Sequence, residues 1–328
     1  MEKAIPWIEK YRPDNINNII LDDYIHRQID IFLKDIQGVH LIITGVPGIG
    51  KTSTVRCIAK EILGENIGQG YLELNAAEDR GVRSTSTIIP PFCKKVVNFT
   101  STKIILLDEA DNMTSKCQYD INDMIKKFGK KTKFIFTCND SSKIIEDIQS
   151  VCRIIRFKKL TDTQICTYLS KICINEKIFC DDVGLSMICY ISAGDMRKAI
   201  NDLQKTAYTF RKITKSTVLG ICKVPDPEET KKIIKSCLVG KLEQADTQLN
   251  NIVKQGYYFL DIVTSFVFVL STFDNMHNDL KLKLIGIVNQ TKIAISTGLR
   301  SKLQLSSMIC NLIKECMVND HTKYVLAA

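Results

Sequence analysis

The chain has 328 residues, 45% of them hydrophobic, and a formal charge of +9, which allows two or three domains with a sizeable core. Residues 1–13 are charged and hold no apolar core segment, so no secretory leader is expected, and the most apolar stretch, 257–273, is too short to span a bilayer and contains Asp261, so it reads as a buried bundle helix. Thirteen cysteines scattered without a C-x-x-C pair exclude a disulfide framework and a zinc ribbon; Cys166, Cys173 and Cys180, seven residues apart, read as one inward helix face.

In chain order, the first predicted strand is Leu41-Ile42-Ile43-Thr44, short, apolar and β-branched. Gly45-Val46-Pro47-Gly48-Ile49-Gly50-Lys51-Thr52 follows and fills every fixed position of G-x-x-x-x-G-K-[ST]. Beyond it Val55, Ile58, Ala59, Ile62 and Leu63 stand at helical spacing, with Gly64 as a stop. Strand, glycine loop and helix is the arrangement in which backbone N–H groups wrap a polyphosphate at a helix N-terminus. Lys51 then reaches the β- and γ-phosphates, the Thr52 hydroxyl ligates Mg²⁺, and Ser53 joins the binding set.

A second strand is predicted over 71–74 and a third over 104–107, the latter ending in Asp108-Glu109-Ala110-Asp111. Strand ends in open α/β sheets face the ligand crevice, so Asp108 and Glu109 are expected beside the phosphate loop. Asp108 is assigned the Mg²⁺ shell and Glu109 the polarisation of an attacking water. An isolated acidic pair is more often merely solvated, but here four apolar residues lead into it, and the two motifs together imply nucleotide hydrolysis.

Lys126, Lys127, Lys130, Lys131 and Lys133 close a helix expected to end at Gly129, where lysines complement the helix dipole. A solvated helix end and a nucleic-acid patch both fit them, and the modest net charge requires neither. Strands over 134–138 and 153–157 complete five that alternate with helices, the pattern of a parallel sheet covered on both faces. From Thr161 no strand is expected. Helices are predicted over 162–176, 182–192 and 195–211, with Gly194-Asp195 as a stop and restart. Pro225-Asp226-Pro227 breaks the pattern, and 228–318 is helical again, with stops near Gly240, Gly256 and Gly298. The expected layout is an α/β nucleotide domain over 1–160, an all-α lid over 161–226 and an all-α collar over 227–320.

Further motifs then align. Trp7-Ile8-Glu9-Lys10-Tyr11-Arg12-Pro13 resembles the W-x-E-K-Y-R-P box of clamp-loader small subunits, and Asn75-Ala76-Ala77-Glu78-Asp79-Arg80-Gly81 is similar to their N-A-S-D-E-R-G element. Thr137-Cys138-Asn139 closes the fourth strand as a sensor-1 asparagine does, and Gly194-Asp195-Met196-Arg197-Lys198-Ala199 resembles the G-D-x-R-x-A sensor-2 helix. The chain thus resembles a replication factor C small subunit, an AAA+ ATPase of the sliding-clamp loader. The resemblance implies ATP and Mg²⁺ as ligands, Arg12 beside the adenine, Asn139 orienting water or the γ-phosphate, and Arg197 touching that phosphate from the lid. It further implies sequence-independent contact of primer–template DNA through Arg80 and the helix start at Thr114, a hetero-pentamer with other loader subunits, a ring clamp as partner, and a nuclear or cytoplasmic location. Other replication or repair AAA+ ATPases, and a scaffold subunit with a non-hydrolysing ATP site, are the alternative readings. A bacterial-type loader would insert a four-cysteine zinc module after the phosphate loop, where only Cys57 and Cys93 lie.

Three departures stand out. The family's S-R-C motif, whose arginine reaches a neighbour's ATP site, is Ser150-Val151-Cys152 here, with Arg153 two residues late. A basic pair expected in the helix after Asp111 falls on Asn122-Asp123, and a DNA-facing basic residue expected near 84–87 falls on Ser84-Thr85-Ser86-Thr87. The expectation is a chain able to hydrolyse ATP but poorly equipped to complete a neighbour's site.

Overall fold

The computed structural model describes residues 5–34, 39–76, 82–95, 102–273 and 276–318, excepting the side chains of 82–86 and 318. By packing, the chain divides between Thr214 and Lys215 into two compact units.

The first unit is built on five parallel strands, β1 (His40–Thr44), β2 (Tyr71–Asn75), β3 (Lys103–Asp108), β4 (Thr132–Cys138) and β5 (Cys152–Arg156), in the order β2-β3-β4-β1-β5. Alternation along each strand sends its side chains into two cores. Leu41, Ile43, Ile104, Leu106, Ile135 and Ile155 pack with Ile29, Val55 and Ile58 on one face. Ile42, Ile105, Leu107, Phe134 and Phe136 pack with Ile121, Ile125 and Ile148 on the other. Those partners come from α2 (Asp23–Lys34), α3 (Lys51–Leu63), α6 (Ser115–Phe128) and α7 (Glu146–Ser150); the unit also holds α1 (Trp7–Lys10), α4 (Ile67–Gly70) and α5 (Val82–Lys94). Both faces of the sheet are covered, which is why its strands read as unbroken apolar runs.

Residues 161–214 add α8 (Asp162–Glu176), α9 (Asp182–Ser192) and α10 (Met196–Phe210) to the same unit. Thr161 and Gln164 form a reciprocal capping box at the start of α8, and Asp181 and Asp195 cap α9 and α10. Three expectations are corrected here. Strands do recur after Thr161: β6 (Phe179–Cys180) pairs in parallel with β7 (Lys212–Ile213), two-residue pieces too short to show a period. Cys180 therefore lies outside α8, on that ribbon, and does not share a helix face with Cys166 and Cys173. The basic cluster after α6 also loses a member, because Lys133 is a buried β4 residue whose Nζ donates to the Gly129 carbonyl at 3.3 Å.

The second unit is helical: α11 (Lys215–Cys222), α12 (Pro227–Leu238), α13 (Leu242–Lys254), α14 (Phe259–Ser271), α15 (Asn278–Ser296) and α16 (Lys302–Val318). Asp226 caps α12 with Pro227 in its first turn. Ile233, Leu249, Phe266, Leu284 and Ile309 are among the buried residues of its core. The stretch read as a bundle helix is α14, with Ile262, Phe266 and Leu270 fully buried.

Candidate nucleotide site

The functional side chains collect at the carboxyl edge of the sheet, where β1, β3 and β4 end. The loop after β1 leads into α3, and two of its glycines have conformations that other residues resist. Gly50 caps α3 at φ +93°. Gly48 sits at φ +75°, and a Cβ there would lie 1.8 Å from Oδ1 of Asp195, so only a glycine lets the loop pass beneath the start of α10. The Gly48 carbonyl accepts the Met196 N–H at 3.0 Å, which seats the first turn of α10 on the loop.

Lys51 Nζ donates to the Gly45 and Val46 carbonyls at 2.6 and 2.9 Å and to Asn139 Oδ1 at 2.9 Å. Burial pulls the Lys51 pKa below the ordinary lysine value, while Asp108 and Asp111 act in the opposite direction. Thr52 Oγ1 donates to Asp108 Oδ2 at 3.0 Å, and the Thr137 hydroxyl donates to Asp108 Oδ1. Glu109 adopts the left-handed conformation at φ +54° and is exposed, with Oε2 accepting from Asn112 Nδ2 at 3.2 Å. The two acids thus differ in their surroundings: Asp108 is held by hydroxyls beside Thr52, whereas Glu109 is exposed. Arg197 follows Met196 in the first turn of α10, exposed and without an ion pair among the described residues.

One cleft joins Gly48 to Ser53, Asp108, Glu109, Asn139 and Arg197 to an apolar end formed by Ile8, Ile19, Leu160, Tyr168 and Ile200. Arg12 lines that end, its guanidinium 2.9 Å from Glu9 Oε1. Motif reading missed Thr137, although it stands two residues before Asn139 and so on the same strand face. It also missed Tyr168, which no local pattern marks because the packing of α8 brings it in, and it read Asp195 only as a helix start and not as the carboxylate seated against Gly48.

Other expected residues lie elsewhere. Thr114 is the exposed N-cap of α6, its hydroxyl accepting from Cys117 N, and it does not line the cleft. Arg80 lies outside the described residues. Val151 is 41% exposed at the end of α7. Arg153 is half-buried on the edge strand β5 opposite Leu41, about 10 Å short of the strand tips at the usual rise per residue, so it takes no part in this chain's own site. Asn122 is buried, with Nδ2 3.3 Å from Asp147 Oδ2.

Comparison with known proteins places these features. Residues 41–160 match the model of the ATPase family associated with various cellular activities, and residues 225–311 match the replication factor C C-terminal domain. A putative replication factor C small subunit of Acanthamoeba polyphaga mimivirus is 72% identical over 96% of this chain and 98% of its own length. Replication factor C subunit 4 of Schizosaccharomyces pombe is 36% identical over 95% of this chain and 92% of its own. The replication factor C small subunit of Methanothermobacter thermautotrophicus is 35% identical over 94% and 98%. Among solved structures, the Thermotoga maritima RuvB Holliday junction branch migration motor superposes with a TM-score of 0.55 over 69% of this chain and 78% of that one, at 16% identity, a likeness of fold.

Proposed function

Because the chain belongs to the replication factor C small subunits, AAA-type ATPases of the sliding-clamp loader, we propose that its cleft binds ATP between the phosphate loop and α10 and hydrolyses it to drive clamp loading. The observation that carries the reading is the convergence of Lys51, Thr52, Asp108 and Asn139 beneath the first turn of α10. A half-buried ammonium satisfied by two carbonyls and an amide oxygen is a cation without an anion, and a polyphosphate is the ligand that supplies one.

The donor set also fits Mg²⁺. Thr52 and Asp108 offer hard oxygens side by side, and among the described residues no group of three or more His, Cys, Asp or Glu side chains could hold a metal, so the ion is held mainly through phosphate and water. Bound there, Mg²⁺ neutralises phosphate charge. Asp108 and Thr52 would hold it, Lys51 would leave the loop carbonyls for the β- and γ-phosphates, and Glu109 would polarise the attacking water and accept its proton. Asn139, freed from Lys51, orients that water or the γ-phosphate. Arg197 closes over the same phosphate, so nucleotide state is read as the position of α10.

Functionally we divide the chain into a nucleotide domain over 1–160, a lid over 161–226 and a collar over 227–320 that assembles with other loader subunits into a hetero-pentamer. Its cargo is a ring clamp delivered to primer–template DNA at sites of replication, nuclear or cytoplasmic. Among the described residues no helix is long and apolar enough to cross a membrane. Val151 presents no charge to a neighbour's ATP, which favours a place at the end of the open spiral, next to the gap. The test uses the reconstituted complex with the other ATP sites disabled. Lys51→Ala should abolish nucleotide binding, and Glu109→Gln should keep binding while turnover falls by about two orders of magnitude or more. Unchanged turnover in Glu109→Gln sinks the role given to that carboxylate.

A further inference from the structure

Glu176 is the last residue of α8, and no basic residue shares that last turn. A carboxylate there faces the negative end of the helix dipole, an unfavourable place unless something else compensates it. The compensation comes from the N-terminal box. Lys10 Nζ and Tyr11 Oη both donate to Glu176 Oε1, each at 2.6 Å. These bonds hold the Glu176 carboxyl below its usual range. Burial and Glu176 together push the Tyr11 phenol well above its own. Two turns earlier on α8, the Tyr168 hydroxyl donates to the Tyr11 carbonyl at 2.5 Å. Trp7 completes the attachment on α10: its backbone N–H donates to Gln204 Oε1 at 3.1 Å, and its ring meets Tyr208 edge-on at 5.7 Å.

On the side of the phosphate loop the segment is tied more lightly. Cys57 Sγ donates to the Pro13 carbonyl at 3.2 Å, and Lys60 pairs with Asp14 at 3.0 Å with both side chains more than half exposed, a contact that contributes little. The attachments of residues 7–11 therefore run to α8 and α10, and those of residues 13–14 run to α3. Arg12, which lines the apolar end of the cleft, sits at the changeover.

We infer that Glu176 is a positioning residue for nucleotide-base recognition: by fastening Lys10 and Tyr11 to α8, it makes the wall at Tyr11–Arg12–Pro13 move as part of the lid. The inference rests on the reading that the adenine lies against Arg12. With the latch made, a seated base pulls on α8 and α10 as directly as the γ-phosphate does through Arg197. With the latch cut, the phosphates still bind but the base has no fixed wall.

The experiment compares ATP with inorganic tripolyphosphate, which has the phosphates and no base, by calorimetric titration of the full-length chain. In the wild type ATP should bind the more tightly. Glu176→Ala should weaken ATP about tenfold, the scale of a lost charge-assisted hydrogen bond, and leave tripolyphosphate within about twofold. Glu176→Gln, which keeps an oxygen acceptor for Tyr11, should restore part of the loss. Tyr168→Phe, which removes one hydroxyl, should weaken ATP alone, and it carries the same comparison should Glu176→Ala fail to fold. ATP affinity unchanged by Glu176→Ala and Tyr168→Phe, or equal weakening of both ligands, overturns the latch and leaves the base wall standing. Equal affinity of the wild type for ATP and tripolyphosphate overturns the base wall itself, and the latch with it.

Discussion

His40 opens β1, the strand whose other end is the phosphate loop, and it makes the nucleotide domain sensitive to acid. It is 6% exposed, its Nδ1 accepts the Phe134 N–H at 3.2 Å, and its ring meets that of Phe134 edge-on at 5.7 Å. Burial, reinforced by the nearby Lys133 ammonium, lowers its pKa from 6.5 to about 4. The unfolded chain therefore takes up a proton near pH 6.5 that the folded chain refuses until about pH 4, so stability is whole above 6.5 and falls as pH drops through that window. At about 1.4 kcal/mol per pH unit, the loss is about 2 kcal/mol at pH 5 and about 3 kcal/mol near pH 4. His40→Asn keeps an acceptor near the Nδ1 position and cannot titrate. Trp7, the single tryptophan, is buried in the same compact unit, so its fluorescence during urea unfolding follows that unit. Between pH 7 and pH 5 the wild type should lose about 2 kcal/mol more than His40→Asn. Equal losses in the two proteins refute the assignment.

Gly48→Ala should abolish ATP binding, measured by calorimetry, because its Cβ would occupy the place of the Asp195 carboxylate at a backbone angle that alanine resists. Arg153→Ala should leave the ATPase rate of the assembled complex within about twofold; a fall of the size expected for a lost arginine finger, about a thousandfold, would show that the finger has moved two residues along β5 and is not missing. DNA affinity of the complex should be independent of duplex sequence and fall steeply with salt. A substitution at Thr114 should weaken it by a small and sequence-independent factor, and a change in sequence preference would contradict that contact.

The sheet was legible because its strands are covered on both faces and therefore apolar throughout: each predicted strand lies within two residues of the observed one. The phosphate loop and the acids after β3 were legible because their chemistry is local. Lys133 was misread because a lysine among lysines looks solvated, whereas its Nζ reaches a helix-end carbonyl from inside the sheet. The ribbon of Phe179–Cys180 with Lys212–Ile213 joins residues more than thirty positions apart by two residues on each side, a length at which no period exists. Helix α5 runs through Pro90 and Pro91, against local propensity. The buried Lys103 ammonium, donating to the Phe92 and Cys93 carbonyls at 2.7 and 2.9 Å, supplies part of what its end lacks. In the site itself, the residues that lie inside a motif, Arg197 on α10 included, were readable, whereas Tyr168, which only the packing of α8 brings to the cleft, was not.

That division has a mechanical sense. The groups gathered at the sheet's carboxyl edge (Lys51, Thr52, Asp108 and Asn139) are already brought together by their own hydrogen bonds, so the backbone of the phosphate half is in place and an entering phosphate has only the Lys51 side chain to redirect. The first turn of α10 meets the loop through a backbone bond from Met196 to Gly48, and its Arg197 has no ion pair among the described residues. An exposed arginine beside a cleft that also holds the Lys51 ammonium gains when an anion enters, because the two cations then share a neutralising partner. On the function proposed above, binding energy goes into moving the lid rather than into building the pocket. A ligand shifts an equilibrium only by its difference in affinity for the two states, and on the same proposal that difference would reside in contacts made from α10 and from the Glu176-held box, the two places that the sheet alone does not provide.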